Sequence, residues 1–75
     1  MRIDKFLKVS RLIKRRTLAK QFLDHGYVKV NDKIVKPSAN VDVGDIITFN
    51  EKSFRIVKIL EHATEEVAAS MYKEI

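Results

Sequence analysis

Residues 11–20, RLIKRRTLAK, concentrate side chains that could bind phosphate. Half of these ten residues are Lys or Arg, and three of them are arginines. A guanidinium group can bind phosphate through two parallel hydrogen bonds, whereas a lysine acts as a point charge. The stretch therefore indicates anion-binding chemistry. Its basic residues are Arg11, Lys14, Arg15, Arg16 and Lys20.

Four of these cations lie where a helix disfavours positive charge. Thr17 is predicted to be the N-cap of a second helix, LAKQFLDHG, and the four cations precede it. A helix N-terminus is partly positive, so each nearby Lys or Arg costs about 0.3–1 kcal/mol. Backbone amides there also bind phosphate. We therefore predict an anion site, and removing Arg16, or Arg15 and Arg16 together, is expected to leave the unfolding midpoint unchanged or higher.

The charge of the whole chain is confined to one end. Residues 1–20 contain eight Lys or Arg residues and one acidic residue, which gives a net charge of +7. Residues 21–75 contain seven Lys or Arg residues and nine acidic residues, which gives a net charge of −2. A basic first quarter is typical of a nucleic-acid binder. A solvated face kept for solubility is the alternative. The candidate RNA-binding residues are Arg2, Lys5, Lys8, Arg11, Lys14, Arg15, Arg16, Thr17 and Lys20.

Four other polar or aromatic residues are expected to be structural. Asp4 lies near the start of the first helix, where an anion is favoured, and can orient a neighbouring arginine. His25 is expected to cap the end of the second helix. Tyr27 and Tyr72 could stack on bases, but packing in the core or at its rim is the favoured interpretation.

No group of residues indicates catalysis, metal binding or a cofactor. The chain has no cysteine, its two histidines are far apart, and it has no glycine-rich phosphate loop. It also lacks the apolar segment of a signal peptide and the ~20-residue apolar run of a membrane span. We expect a cytoplasmic protein that is not an enzyme and has no membrane contact.

The elements that must position these side chains begin with two helices. The apolar spacing in RIDKFLKVS predicts a first helix, and the basic residues step around its opposite side. Gly26 is predicted to end the second helix as its C′ residue. The inward stripes are Ile3, Phe6, Leu7 and Ser10 in the first helix, and Ala19, Phe22 and Leu23 in the second.

Strands are predicted for most of the remaining chain. YVKV and KIV flank a two-residue turn, Asn31-Asp32, and KPSANVDVGD is a loop. IITF and FRIVKIL flank a second hairpin turn, NEKS. The tail HATEEVAASMYKEI is predicted to be helical, capped by Thr64. Its apolar stripe would be Val67, Ala68, Met71, Tyr72 and Ile75.

This order predicts an α+β domain: two short N-terminal helices on a small antiparallel sheet, followed by a C-terminal helix. Residues 1–60 are expected to form the domain, and residues 61–75 a helical tail packed on it.

Residues 2–49 resemble the alpha-L RNA-binding motif, a module of a small-subunit ribosomal protein (the S-four type), of many pseudouridine synthases and of a bacterial tyrosyl-tRNA synthetase. The resemblance implies a strongly bent sheet. This sequence departs from the family at two turn positions. Asp32 replaces a glycine, which suggests a modified turn, and Arg15 replaces a serine. The matching positions are Arg2-Ile3-Asp4-Lys5, Arg15-Arg16-Thr17, Ala19, Phe22-Leu23, Gly26-Tyr27-Val28-Lys29-Val30-Asn31-Asp32 and Val41-Asp42-Val43-Gly44-Asp45.

Within this family, DKFLKVSRLIKRRTLAK and AASMY are similar to stand-alone bacterial factors of ribosome-associated quality control. That resemblance implies binding to large-subunit rRNA and peptidyl-tRNA on stalled free large ribosomal subunits. It also implies a partner, the NEMF-type tailing factor RqcH, which adds a C-terminal alanine tail to the stalled peptide. A related small heat-shock protein recycles obstructed large subunits. We expect a monomer.

Three alternatives remain open from the sequence. The chain could be an accessory protein of large-subunit assembly or recycling. It could be a DNA-binding helix-turn-helix protein, although Lys20, Gln21 and Asp24 are a poor set for reading base edges. It could also be a protein-only adaptor that uses its apolar tail.

Overall fold

The computed structural model describes all 75 residues as three helices and one five-stranded antiparallel sheet with the strand order β2-β1-β3-β4-β5. The predicted α+β class is confirmed. The elements are α1 (Ile3–Val9), α2 (Arg16–Asp24), β1 (Lys29–Val30), β2 (Lys33–Ile34), β3 (Ile46–Phe49), β4 (Lys52–Ile56), α3 (Glu65–Ala68) and β5 (Tyr72–Glu74).

Helix α1 is held at its start by the loop that precedes β3. The amide of Ile3 donates to the carbonyl of Ala39 at 2.7 Å, and the amide of Val41 donates to the carbonyl of Met1 at 2.8 Å. The predicted inward stripe is confirmed, since all four of its residues are buried. The basic side of α1 is therefore fixed outward.

A short linker, residues 10–15, joins the two helices. α1 ends at Ser10, whose amide donates to the carbonyl of Phe6 at 2.9 Å. The next residue, Arg11, takes a left-handed conformation with φ of 62°. Ile13 is 4% exposed and anchors the linker in the core. The left-handed turn at Arg11 is why the helical pattern breaks at this point.

Helix α2 begins two residues earlier than predicted. Arg15 is its N-cap, with no side-chain hydrogen bond to the first turn, and Thr17 lies inside that turn. The prediction that Thr17 caps the helix is therefore wrong. The linker leaves Arg15 at the N-cap position, and because a guanidinium has no hydrogen-bond acceptor, the helix starts without a side-chain cap.

The end of α2 follows the prediction. His25 is the C-cap, and Gly26 follows it with φ of +75°. The amide of Gly26 donates to the carbonyl of Leu23 at 3.1 Å, and the amide of Tyr27 donates to the carbonyl of Phe22 at 2.9 Å. These two hydrogen bonds form a Schellman motif. This motif turns the chain directly into β1.

Both predicted hairpins are present. Asn31 and Asp32 have φ of 51° and 66°, as the central residues of a type I′ turn require, so Asp32 takes the conformation of the family's glycine. Asn50 and Glu51 form the equivalent turn between β3 and β4. Strand β4 ends at Ile56, four residues before the end of the predicted strand.

The tail is helical over only one turn. Thr64 caps α3 as predicted, with its hydroxyl accepting from the amide of Val67 at 3.4 Å. The predicted helix through residue 75 is wrong, because residues 72–74 form β5 on the open edge of β4. Val67 and Ile75, predicted to be inward, are exposed.

The core lies between helices α1 and α2 and one face of the sheet. Met71 is fully buried in it and docks the tail on the domain, as predicted. None of the three helices has the length and the apolar composition that a membrane span requires. The core cluster is Ile3, Phe6, Leu7, Ile13, Ala19, Leu23, Val28, Val30, Val41, Ile47, Ile56 and Met71.

Candidate nucleic-acid interface

A buried carboxylate joins the starts of α1 and α2. Asp4 is fully buried, and its two oxygens accept hydrogen bonds from Arg2 at 3.1 Å and from Arg16 at 3.4 Å. The two guanidinium side chains are 46% and 42% exposed. Asp4 therefore holds two partly exposed arginines side by side, which confirms the prediction that it orients a neighbouring arginine.

The pKa of Asp4 is set by opposing effects. Burial by itself would raise the pKa of this carboxyl, but hydrogen bonds from Arg16, Arg2 and the amide of Lys5 favour the charged form. The net result is a pKa below the ordinary value of an aspartate. Asp4 is thus an anion at neutral pH and keeps both arginines paired.

The other cations of the linker line a separate concavity. Lys8, Arg11 and Lys14 border a cleft of about 420 Å³ together with Glu65 of α3, and we call it the cation cleft. All three cations are exposed and form no ion pair. Three cations against the one carboxylate of Glu65 leave a net charge of +2 around this concavity, and the resulting positive potential favours a polyanion.

The start of α2 supplies cations and backbone donors at one place. Arg15, Thr17 and Lys20 are exposed, and the first turn contains no acidic residue. Lys20 lies one turn after Arg16, on the same side of the helix. These side chains border amides that no side chain caps, and such a helix end attracts anions.

Lys5 differs from the other candidates because an acid pairs with it. Its ammonium group forms an ion pair with Glu61, and hydrogen bonding and charge from Lys5 lower the pKa of that exposed carboxyl. The pair links α1 to the segment before α3. Its partner is exposed, so salt screens the interaction and its contribution to stability is small.

The structure therefore places the nine candidate residues in three settings. Five of the eight candidate cations have no ion-pair partner. Sequence reasoning missed Glu61 and Glu65, which lie beside the cations, because only the tertiary fold brings the tail against α1 and the linker. The settings are the Asp4-bound Arg2 and Arg16, the tail-paired Lys5, and the exposed Lys8, Arg11, Lys14, Arg15, Thr17 and Lys20.

Two residues near the end of α2 have the structural contacts expected of them. His25 is the C-cap, and its Nδ1 lies 2.7 Å from the carbonyl oxygen of Gln21. Tyr27 packs at the rim, stacked on His25 with ring centroids 5.6 Å apart, and is 63% exposed.

Residues 1–47 match the family model described as the S4 domain. The chain is 47% identical over 76 aligned positions to the RQC P-site tRNA stabilizing factor of Listeria innocua, an alignment that covers 96% of this chain and 83% of that protein. It is 48% identical to the protein of the same name from Streptococcus pneumoniae, over 100% of this chain and 90% of the other. The expected resemblance to the stand-alone bacterial factors of ribosome-associated quality control is confirmed.

One solved structure has nearly the same fold. The trimeric structure of Vibrio cholerae Heat Shock Protein 15 superposes with a TM-score of 0.94 at 32% identity, covering 100% of this chain and 81% of the other. The likeness includes the tail, because the superposition spans the whole chain.

Proposed function

This chain belongs to the S4 domain family, and we propose that it is a non-catalytic RNA-binding protein of ribosome-associated quality control. It binds rRNA and the P-site peptidyl-tRNA on stalled free large ribosomal subunits. In doing so it assists the addition of a C-terminal alanine tail to the stalled peptide. Its partner in that reaction is the NEMF-type tailing factor RqcH, and it acts in the cytoplasm as a monomer.

The observation that carries this proposal is that the ligand named for the relatives matches the chemistry of the exposed surface of this chain. The relatives that align over nearly the whole chain are named as stabilizing factors for a P-site tRNA. The exposed cations of α1, the linker and α2 offer the chemistry that such a ligand requires, because RNA is bound mainly through phosphates, riboses and shape. Two exposed arginines held by Asp4 add fixed, two-pronged donors to that surface.

The mechanism follows from rigidity and charge. α1 and α2 pack on one core, so their backbones hold the attachment points of the cations at fixed relative positions. Asp4 also holds the side chains of Arg2 and Arg16, which lowers the conformational entropy that these two arginines lose on binding. Binding phosphate also relieves the repulsion between Arg15 and the positive end of α2. The protein thereby clamps the rRNA and tRNA backbones and holds the peptidyl-tRNA in the P site while the partner acts.

An alanine-tailing assay in a deletion strain tests this function. Restoring the wild-type gene is expected to restore alanine tails on a stalled reporter peptide, and Arg15→Ala is expected to restore them poorly. Arg55→Ala is the matched control, because Arg55 is an exposed arginine of β4 outside the basic end of the chain. Normal tailing in the deletion strain would refute the proposed role.

A second candidate function is that of an accessory in large-subunit recycling or assembly. The likeness to Heat Shock Protein 15 favours it, since the sequence resemblance groups a small heat-shock protein with recycling of obstructed subunits. In that case the deletion strain would keep its alanine tails and accumulate obstructed or immature large subunits. The same strain therefore separates the two functions.

A further inference from the structure

A second concave surface lies at the far end of α2 from its basic start. It is a cleft of about 520 Å³ between the end of α2 and the β3–β4 turn, and we call it the aromatic cleft. α2 is about 13 Å long at a rise of 1.5 Å per residue, and this length separates the aromatic cleft from Arg15. Its lining residues are Phe22, Tyr27, Phe49, Asn50 and Glu51.

The cleft separates two clusters of aromatic rings. On one side Phe22 and Tyr27 meet edge to face with centroids 6.0 Å apart. On the other side Phe49 contacts Phe54 at 5.6 Å. Phe22 and Phe49 are half-buried, and Tyr27 is mostly exposed. Every apolar side chain of the lining is thus an aromatic ring, held by neighbours and open to solvent.

The remaining two lining residues carry hydrogen-bonding groups. Asn50 and Glu51 occupy the positive-φ positions of the β3–β4 turn, with φ of 55° and 63°. The turn gives their backbone a defined conformation at the mouth of the cleft. An amide and a carboxylate can bind the donor and acceptor edge of a nucleobase, whereas a carboxylate repels phosphate.

We propose that the aromatic cleft binds one unpaired nucleobase of the RNA, stacked on its rings, with its edge toward Asn50 and Glu51. This inference rests on the proposed function. Proteins recognise unpaired RNA by stacking exposed bases on aromatic side chains.

Two RNA hairpins with the same number of phosphates test the inference. One carries a single unpaired 2-aminopurine, and in the other that base is paired. The unpaired hairpin is expected to bind about tenfold more tightly, with quenched 2-aminopurine fluorescence, because stacking on protein rings stabilises the bound base. Tyr27→Ala is expected to remove this advantage without changing the affinity for the paired hairpin, and Tyr27→Phe to retain it.

The controls separate this inference from the proposed function. Val43→Ala removes an equally exposed apolar side chain outside the cleft and is expected to change neither affinity. Equal affinity of the wild type for both hairpins would overturn the base-binding inference and leave the RNA-binding function standing. A photo-crosslinker at position 27 that attaches to a ribosomal protein instead of RNA would also overturn it. Failure to bind either hairpin would contradict the proposed function itself.

Discussion

Arg15 and Arg16 are neighbours in sequence, but their side chains have different surroundings. Arg16 donates to the buried Asp4, whereas Arg15 is exposed at the N-cap of α2 without an acidic partner. The charge repulsion expected from the sequence is therefore offset at Arg16 and not at Arg15. Because of this contact, we now expect removal of Arg16 to lower the unfolding midpoint, whereas the sequence alone predicts a midpoint that is unchanged or higher.

Arg15→Ala is expected to weaken large-subunit binding several-fold and to leave the unfolding midpoint unchanged or slightly higher, because a cation is lost from a positive helix end. Arg16→Ala is expected to lower both affinity and midpoint, because it removes a charged hydrogen bond to a buried carboxylate. Sedimentation with large subunits and thermal unfolding measure the two effects. A lower midpoint for Arg15→Ala, or an unchanged one for Arg16→Ala, would contradict the assignment.

Asp4 links stability to pH. Its folded pKa lies below its unfolded value of about 3.9, so its stabilising contribution is present above that pH and is lost as the pH falls through the folded pKa. Asp4→Asn is expected to lower the free energy of unfolding at neutral pH by about 1–3 kcal/mol.

The difference between wild type and Asp4→Asn is expected to shrink as the pH falls below the unfolded pKa of about 3.9 and then through the lower folded pKa. The unfolded wild-type chain takes up a proton at Asp4 first, and the folded carboxyl becomes protonated at lower pH. Urea unfolding of both proteins between pH 7 and pH 2.5 measures this difference in the free energy of unfolding. A difference that stays constant across this range would show that the carboxylate charge is not what stabilises the fold.

At the scale of elements, the tail is the clearest departure from the sequence prediction. β5 pairs with β4 through residues 72–74, and Met71 enters the core just before that strand. Met71→Ala is expected to cost about 2–5 kcal/mol of unfolding free energy, because it leaves a cavity in the core. Val67→Ala, on the exposed side of α3, is expected to change it by less than about 0.5 kcal/mol. Equal effects in urea unfolding would contradict the observed packing.

Local patterns predicted the elements that local forces determine. The spacing of Ile3, Phe6 and Leu7 predicts α1, Gly26 predicts the end of α2, and Asn31-Asp32 predicts the first hairpin, because each signal acts within a few residues. The tail contains good helix formers, and its strand depends on the open edge of β4, which lies far away in sequence.

The candidate site was predictable in composition but not in arrangement. The concentration of cations in residues 1–20 is visible in the sequence. The pairing of Lys5 with Glu61, and the meeting of Phe22 with the β3–β4 turn, depend on tertiary contacts that no local pattern contains.

At the scale of the whole molecule, charge is divided between a basic end and a nearly neutral remainder. If about four to seven phosphates are contacted, the affinity for large subunits should fall with salt at a log–log slope of roughly −3 to −6. Binding assays between 50 and 200 mM salt, roughly the range over which counterion release is resolved, measure this slope. A flat response would contradict an interface built on the exposed cations.

We expect the basic side of α1, the linker and α2 to contact RNA at the P site of stalled large subunits. Cryo-EM of native large subunits purified through a tagged copy of this protein tests it most directly. We expect density for the chain with residues 2–20 against rRNA and a P-site tRNA. Density in which residues 2–20 face solvent, with the chain held only by ribosomal proteins, would contradict it.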